Sequence, residues 1–289
     1  MSRKPIRAFL NICMTVFFLL CVGILFYPWV AEKRNETDQT ATIRSYDSHV
    51  EYMDSRRKDA LLAEAQAYNA QLLFHPETYE LDEEALARYL NTFIVGADGE
   101  IGYLTIPTIN TKLVIYHTAE DEVLQVGVGH LPASSLPVGG KGTHAVLTGH
   151  TGLTKAKLFS DVSKLREGDC FYLSVLEDVL TYEVDQRLVV DPWDVDALRI
   201  DPEQDYVTLV TCYPYGVNSH RLLVRGRRVP TPIAETEDGG QRFTTYSSEK
   251  RVGFSIADYM AMGGLVVSAA GLVTLIWKIY KSRKRRAKT

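Results

Sequence analysis

Residues 206–229 read YVTLVTCYPYGVNSHRLLVRGRRV. Two runs rich in β-branched and apolar residues flank a segment with proline, glycine and asparagine, a pattern that predicts two strands joined by a loop. Cys212 closes the first run, and His220 and Arg221 open the second. The stretch therefore predicts a thiol and two groups able to carry positive charge at neighbouring strand ends, where they could take part in chemistry.

The middle of the chain shows the same two-residue alternation, with frequent turn residues and little helical periodicity. Seven segments fit short strands: residues 101–106, 112–117, 143–148, 170–176, 180–190, 206–212 and 221–229. Seven or eight short strands of this kind predict a mainly β fold, a closed or nearly closed barrel over residues 101–230. A short helix is expected over residues 193–198, with Asp191 as its cap and Pro192 at its first position.

Segment 31–100 is predicted to be a polar stalk followed by helices. Residues 32–45 are polar and show no apolar periodicity. One helical face follows, formed by Leu61, Ala65, Tyr68 and Leu72. The pair at 75–76 should end this helix, because a residue before proline disfavours the α conformation. A second helix is expected over residues 83–90, with Asp82 as its cap.

Both ends of the chain carry an apolar run that suits a membrane span. Residues 8–30 hold no charged side chain and suffice to cross a bilayer, which takes about 20 residues. A second run, 259–277, is rich in small residues and lies within the predicted span 252–277. Basic residues in segments 1–7 and 278–289 predict cytoplasmic tails and an extracellular middle. A cleaved signal peptide is the alternative for the first run, but no small-residue cleavage site follows it.

The predicted extracellular part is acidic. Asp258 is the only acidic residue outside segment 31–251, whereas three basic residues precede the first span and seven follow the second. An acidic surface argues against nucleic acid as a partner. Residues 231–251 are polar and are predicted to link the barrel to the second span.

Two cysteines, Cys170 and Cys212, lie outside the apolar runs. So few cysteines do not suit an exported disulfide framework, so either these two pair or Cys212 is a free thiol, for which catalysis would be a reason. Cys170 opens a strand without a basic neighbour and is predicted to be core. Arg221, nine residues after Cys212, supplies a permanent positive charge that would favour a reactive thiolate.

A nucleophilic cysteine needs a proton-transfer partner, which is most often histidine. His150 lies in the glycine-flanked segment 147–153, LTGHTGL, where glycines allow close backbone approach. His220 competes because it lies near Cys212 in sequence. His220 and Arg221 are adjacent on a strand and point to opposite faces, so one of them can face the thiol, and spacing alone does not decide which.

These segments resemble sortases, membrane-bound cysteine transpeptidases of Gram-positive bacteria. Residues 208–212, TLVTC, match every fixed position of the T-L-x-T-C signature, and residues 148–150 match the T-G-H segment. The resemblance implies a sortase-type closed eight-stranded β-barrel with short helices, an N-terminal helical segment and two transmembrane helices. It implies Cys212 as the nucleophile, His150 as the proton donor and acceptor, and Arg221 as the group that stabilises the oxyanion or the substrate.

The run CYPYGVN and the second apolar run resemble the class C, or pilin-polymerising, branch of that family. The resemblance implies cleavage of an LPXTG-like sorting signal between Thr and Gly, and transfer of the acyl group to a lysine amine of a pilin subunit. The expected partners are pilins or surface proteins with such signals and the membrane, and neither a cofactor nor a metal is expected.

Class C sortases often carry a lid before the barrel, with an Asp-Pro-aromatic motif that covers the cysteine. The corresponding region here, LFHPETY over residues 73–79, keeps the proline but has histidine in place of Asp and Glu in place of the aromatic residue. The lid candidates in this chain are His75, Pro76, Glu77 and Tyr79. Asp191-Pro192-Trp193 spells the motif inside the barrel segment, where a helix start is the preferred interpretation.

Three other functions stay open at this level. A sortase that attaches proteins to the cell wall would share all three catalytic residues and differ in the amine that resolves the thioester. An exported cysteine protease would use water instead. A non-catalytic membrane scaffold would depend on Cys212 for stability alone.

Overall fold

The computed structural model describes residues 3–74, 81–153, 155–235 and 241–243, together with Gly263, Gly264 and Gly271. These residues fall into two compact units, formed by the described parts of Met1–Arg34 with Gly253–Thr289 and of Asn35–Val252. Helix α1, Arg3–Tyr52, contributes its first part to one unit and its second part to the other. Apart from the three glycines, the predicted second span lies outside the described residues.

In the first unit, α1 contains a segment apolar and long enough to cross a membrane, within Asn11–Tyr52. This is the one candidate span among the described residues, and its helix overlaps the predicted N-terminal span over residues 8–30. Gly264 and Gly271 lie against the same helix, since an added Cβ atom would stand 3.2 Å from Leu25 and 2.8 Å from Phe18, respectively. Small residues permit approach this close between membrane helices.

The second part of α1 packs on the barrel of the second unit. Four residues are buried at the spacing of one helical face: Gln39, Ile43, Tyr46 and Val50. Gln39 uses both ends of its amide, since its oxygen accepts from the Val114 amide at 2.7 Å and its NH₂ group donates to the Val126 carbonyl. The interpretation of residues 32–45 as lacking periodicity was wrong, because a polar residue begins the buried face.

The two predicted helices after the stalk are confirmed as α2, Ser55–Phe74, and α3, Glu83–Asn91. Leu61 and Ala65 on the predicted face of α2 are fully buried. Asp82 caps α3 as expected, because its carboxylate accepts from the Ala85 amide at 2.7 Å. Asn69 joins α2 to the barrel region through a pair of hydrogen bonds with the backbone of Leu136.

The barrel segment contains one short helix and eight strands: β1 Glu100–Ile106, β2 Thr111–Tyr116, α4 Asp121–Leu124, β3 Val128–His130, β4 Thr143–Thr148, β5 Cys170–Val175, β6 Asp178–Val190, β7 Asp205–Tyr213 and β8 His220–Val229. The strands close in the order β1-β2-β3-β4-β7-β8-β6-β5, which confirms the predicted closed barrel. The pairs β2–β3 and β4–β7 are parallel. Alternation did not reveal β3, because three residues are too few to show it.

Two features differ from the sequence-based expectations. The predicted linker over residues 231–251 contains an antiparallel pair, β9 Ile233–Glu235 with β10 Gln241–Phe243. The helix expected over residues 193–198 is reduced to one 3₁₀ turn, Asp196–Leu198. Side-chain competition explains the reduction, because the Asp194 carboxylate accepts from the Asp196 amide at 3.1 Å and replaces a helical hydrogen bond.

Strands β7 and β8 have two distinct faces. Their inward-facing residues join the main core: Val207, Leu209, Leu222 and Val224. Val210 and Leu223 face outward. They join Val146 of β4 and Leu198 of the 3₁₀ turn in a separate group, the outer cluster. The interior of the barrel is therefore packed with side chains, and its outer face is the surface available for a substrate.

A polar cluster is buried where α3 meets the barrel. His130 is fully buried, and its Nε2–H donates to the Ser135 carbonyl at 2.8 Å. Its Nδ1 therefore accepts from the Tyr89 hydroxyl, 2.7 Å away. Burial lowers the pKa of His130 to about 3, and it also lowers the pKa of the neighbouring His117. Both rings are uncharged in the folded protein at neutral pH.

Acid should therefore weaken the fold through His130. Its pKa is lowered on folding, so the unfolded chain binds the proton first as pH falls below about 6.5, and the stabilisation is lost progressively down to about pH 3. Between about pH 7 and pH 5.5 the free energy of unfolding should fall by about 1 kcal/mol more in the wild type than in His130→Gln, which cannot titrate. Urea unfolding at both pH values measures this, and equal losses would contradict it.

Candidate active site

Three neighbouring chain segments carry the predicted catalytic residues, which are expected to form one row. Cys212 on β7 lies directly opposite Arg221 on β8 in the antiparallel register. On the other side of β7, the parallel register pairs Thr148 of β4 with Val210. If this register continues past Thr148, the last residue of β4, His150 comes level with Cys212. Because adjacent strands are about 4.8 Å apart, the row His150, Cys212, Arg221 crosses neighbouring positions.

The row lies on the outer face of the barrel. Val210 and Leu223 belong to the outer cluster, and Cys212 and Arg221 follow the same alternation two residues away. Cys212 is a half-buried free thiol. His220 pairs with Tyr213 in the opposite register position, so Arg221, and not His220, shares the face of the thiol.

The loop that carries His150 is held close to β7 by its backbone. The Gly149 amide donates to the Val210 carbonyl at 3.2 Å, and the Phe159 amide donates to the His150 carbonyl at 3.1 Å. A Cβ atom at Gly149 would stand 2.8 Å from the Phe159 ring. Glycine is required at this position because the chain passes directly over that ring.

Thr211 ties the same loop to the strand that carries the nucleophile. Its hydroxyl donates to the Gly149 carbonyl at 2.7 Å. The Thr151 hydroxyl lies 2.5 Å from the Thr211 hydroxyl oxygen. Because the Thr211 hydrogen is used on Gly149, Thr151 donates to Thr211. The T-L-x-T-C match identified Thr211 as a fixed position without a role. Its contacts clamp residues on both sides of His150.

Arg221 keeps its charge available. Its guanidinium donates to the backbone carbonyls of His220 and Asn218, at 3.1 and 3.3 Å. Within the part of the chain that the structure describes, no carboxylate forms an ion pair with it. An anionic or carbonyl oxygen at the thiol could thus be bound by an uncompensated cation.

The other cysteine of the barrel segment has a different environment. Cys170 opens β5, is buried and faces Glu183 across the strand pair. Burial raises the pKa of its thiol to about 11, which keeps it protonated and unreactive. Both Cys170 and Cys212 are free, so the alternative of a disulfide between them is excluded.

Other side chains could contribute to a site of this kind. The lid candidates His75, Pro76, Glu77 and Tyr79 lie outside the described residues. His130 and His144 are buried in hydrogen-bonded networks. In the described ranges, no three histidine, cysteine or acidic side chains stand close enough together to hold a metal ion.

The chain is similar to known proteins across this site. A model of the sortase domain matches residues 104–229. The crystal structure of sortase C1 from Streptococcus agalactiae is 44% identical with a TM-score of 0.64, over 66% of this chain and 100% of that one. Sortase C from Clostridium perfringens, solved with the C-terminal cell wall sorting motif, is 41% identical with a TM-score of 0.59. The match covers 66% of this chain and 99% of that one. Sortase A of Bacillus anthracis is 25% identical over 80% of this chain and 98% of that protein.

The clamp formed by Thr211 can be tested with two substitutions. Thr211→Val removes the donor of the Gly149 carbonyl and should lower the free energy of unfolding by about 1–3 kcal/mol. Hydrogen exchange of the segment 149–153 should become faster, because the loop loses both hydroxyl contacts. Thr211→Ser keeps the hydroxyl and should retain slow exchange. Equal exchange in the two variants would contradict the clamp.

Proposed function

The chain belongs to the sortase family of cysteine transpeptidases, and from this we propose that it is a class C enzyme that joins pilin subunits through isopeptide bonds. The observation that supports the proposal most is that Cys212 lies opposite Arg221 on the outer face of the barrel, while the loop that carries His150 is hydrogen-bonded to the same strand β7. The row supports a nucleophile, a proton-transfer group and a cation within reach of one carbonyl group.

In the first half-reaction, the Cys212 thiolate attacks the threonine carbonyl carbon of the Thr–Gly peptide bond in an LPXTG-like sorting signal. Arg221 binds the oxyanion that forms on the carbonyl oxygen. His150 as imidazolium then gives its proton to the departing glycine amine, and the C–N bond breaks. The products are a Cys212 thioester, neutral His150 and a released peptide that begins with glycine.

In the second half-reaction, an uncharged lysine amine of the next pilin attacks the thioester carbonyl. His150 takes the proton from the attacking nitrogen, and the sulfur leaves as thiolate. The isopeptide bond forms while the thiolate and the imidazolium are regenerated. No net oxidation or external proton source is needed, which fits a site made of one thiol, one imidazole and one guanidinium.

Similarity to class C sortases from two bacteria supports pilin joining, because the identity exceeds 40% over nearly all of each solved chain. Attachment to the cell wall is the alternative, and the similarity to a sortase A over 98% of its length favours it. The two functions differ in the amine that resolves the thioester, so the acceptor decides between them.

We further propose that two spans anchor the enzyme, with the catalytic unit outside and both tails inside. The close approach of Gly264 and Gly271 to α1 supports a second helix beside the first. A substrate that is itself held in the membrane would then meet the site in the same plane, which raises its effective concentration.

The reaction predicts a covalent adduct. Full-length protein in detergent, mixed with a synthetic LPXTG-type peptide, should gain on Cys212 the mass of the peptide through Thr less one water. Cys212→Ala should form none. The rate of adduct formation should fall by about 10²–10⁴ in His150→Gln and about 10²–10³ in Arg221→Ala. An adduct on Cys170, or none on either cysteine, would refute the mechanism.

The acceptor is tested on the preformed thioester. A pilin domain with an exposed lysine should consume it and yield an isopeptide-linked product. A peptide that carries the amine of the cell wall should react much more slowly, and water more slowly still. A product with the wall amine alone would establish the alternative function, and hydrolysis alone would indicate a protease.

The topology has its own test. A reporter that is active only in the cytoplasm, fused after Thr289, should be active, whereas the same reporter fused within segment 231–251 of a truncated chain should be inactive. An inactive reporter after Thr289 would exclude a second span of the proposed orientation.

A further inference from the structure

The segment between β6 and β7, residues 191–204 and here called the β6–β7 loop, packs on the outer face of the barrel through Ala197 and Leu198. Its residue Leu198 is buried in the outer cluster with Val210 and Leu223. Those two residues lie on the same strand faces as Cys212 and Arg221, two positions away. The placement of the β6–β7 loop therefore determines the shape of the surface next to the thiol.

The start of the β6–β7 loop is held weakly. The last residue of β6, Val190, pairs with Arg221 of the row. One step further, the Asp191 carboxylate lies 3.7 Å from His220, but the side chains are 80% and 46% exposed, respectively. Ion pairs between exposed groups contribute little, about 0–1 kcal/mol. A stronger anchor has to lie further along the loop.

His144 of β4 provides that anchor. It is 1% exposed, and its Nδ1 lies 3.0 Å from the carbonyl oxygen of Arg199 in the β6–β7 loop. A carbonyl can only accept, so Nδ1 carries the hydrogen. Nε2 then accepts from the Thr208 hydroxyl on β7, 2.7 Å away. Both ring nitrogens are satisfied, and the two contacts select a single tautomer.

The ring of His144 is held in place by a second set of contacts. It packs edge-on against Tyr206 at 5.6 Å between ring centroids. The Arg225 guanidinium lies 4.1 Å from the centroid of the Tyr206 ring and binds both carboxylate oxygens of Asp185, at 3.0 and 2.9 Å. Burial lowers the pKa of His144 to about 4, so the imidazole is neutral at neutral pH.

We propose that His144 is a positioning residue that fixes the β6–β7 loop through the Arg199 carbonyl and thereby shapes the binding site of the sorting peptide. It touches neither the thiol nor the substrate in this role. The inference rests on the proposed function for the identity of the peptide, but the anchoring itself is a property of the fold.

Two substitutions separate the contacts of His144. The amide of Asn lies near the position of Nδ1, so His144→Asn can keep the bond to Arg199 and lose the bond to Thr208. The longer Gln reaches the position of Nε2, so His144→Gln can keep Thr208 and lose Arg199. Each variant loses one buried hydrogen bond, so a purely structural role predicts similar losses of stability and similar kinetics for both.

Kinetics of acylation with the synthetic LPXTG-type peptide give the first readout, in full-length protein. His144→Gln should raise the peptide concentration at half-maximal acylation about tenfold, which corresponds to the loss of about one hydrogen bond, with a smaller change in the maximal rate. His144→Asn should stay within about twofold of the wild type. Leu198→Ala, which loosens the same loop with His144 intact, should raise the half-maximal concentration as His144→Gln does.

Fluorescence gives a readout that does not depend on activity. Trp193 lies in the β6–β7 loop and is 91% exposed. With Trp29 and Trp277 replaced by Phe, it is the one tryptophan of the chain. Its anisotropy should decay faster in His144→Gln than in the wild type, with His144→Asn close to the wild type.

The outcomes are distinguishable from failure of the proposed function. Equal half-maximal concentrations and equal anisotropy decays in the two His144 variants would overturn the positioning role, whatever their stabilities. If the wild type forms no adduct with the peptide, the proposed function fails, and the anisotropy of Trp193 still decides whether His144 anchors the loop. If Leu198→Ala acylates like the wild type, the loop does not shape the peptide site.

Discussion

The parallel pairing of β4 with β7 is the constraint on which the site depends. It brings the loop that carries His150 to the strand that carries Cys212, although the two residues are far apart in the sequence. Side chains alternate along a strand, so a slip of one residue in this register would turn His150 to the opposite face. The hydrogen bond from Thr211 to the Gly149 carbonyl extends the pairing beyond the last residue of β4 and secures the register where the chemistry is proposed.

Local patterns predicted much of this arrangement, and long-range pairing supplied the rest. Alternation located most strands, and the short loop between β7 and β8 made it predictable that Cys212 and Arg221 end neighbouring strands. Nothing local indicates that β4 lies beside β7 instead of β5. The buried face of α1 was not predicted because it begins with a polar residue, Gln39. Its amide is buried because it forms hydrogen bonds with the backbone groups of Val114 and Val126, a pairing that the local sequence does not indicate.

Burial separates the groups that could react from those that stabilise the fold. The barrel segment holds two free thiols, of which Cys170 is desolvated beside Glu183 and held as the neutral thiol. Likewise, His130 and His144 use both ring nitrogens in buried hydrogen bonds and stay uncharged. His150 lies two residues beyond the end of β4 and is only partly buried.

A site on the outside of a filled barrel suits a reaction between two macromolecules. The inward-facing residues of β7 and β8 belong to the packed core, so an extended peptide would lie along the outer face. A thioester on Cys212 would then remain open to a second protein on the side away from the β6–β7 loop. An amine carried by a folded partner needs such access, which a buried pocket would deny. The outer location of the row therefore favours transfer to a macromolecular acceptor over transfer to a small one.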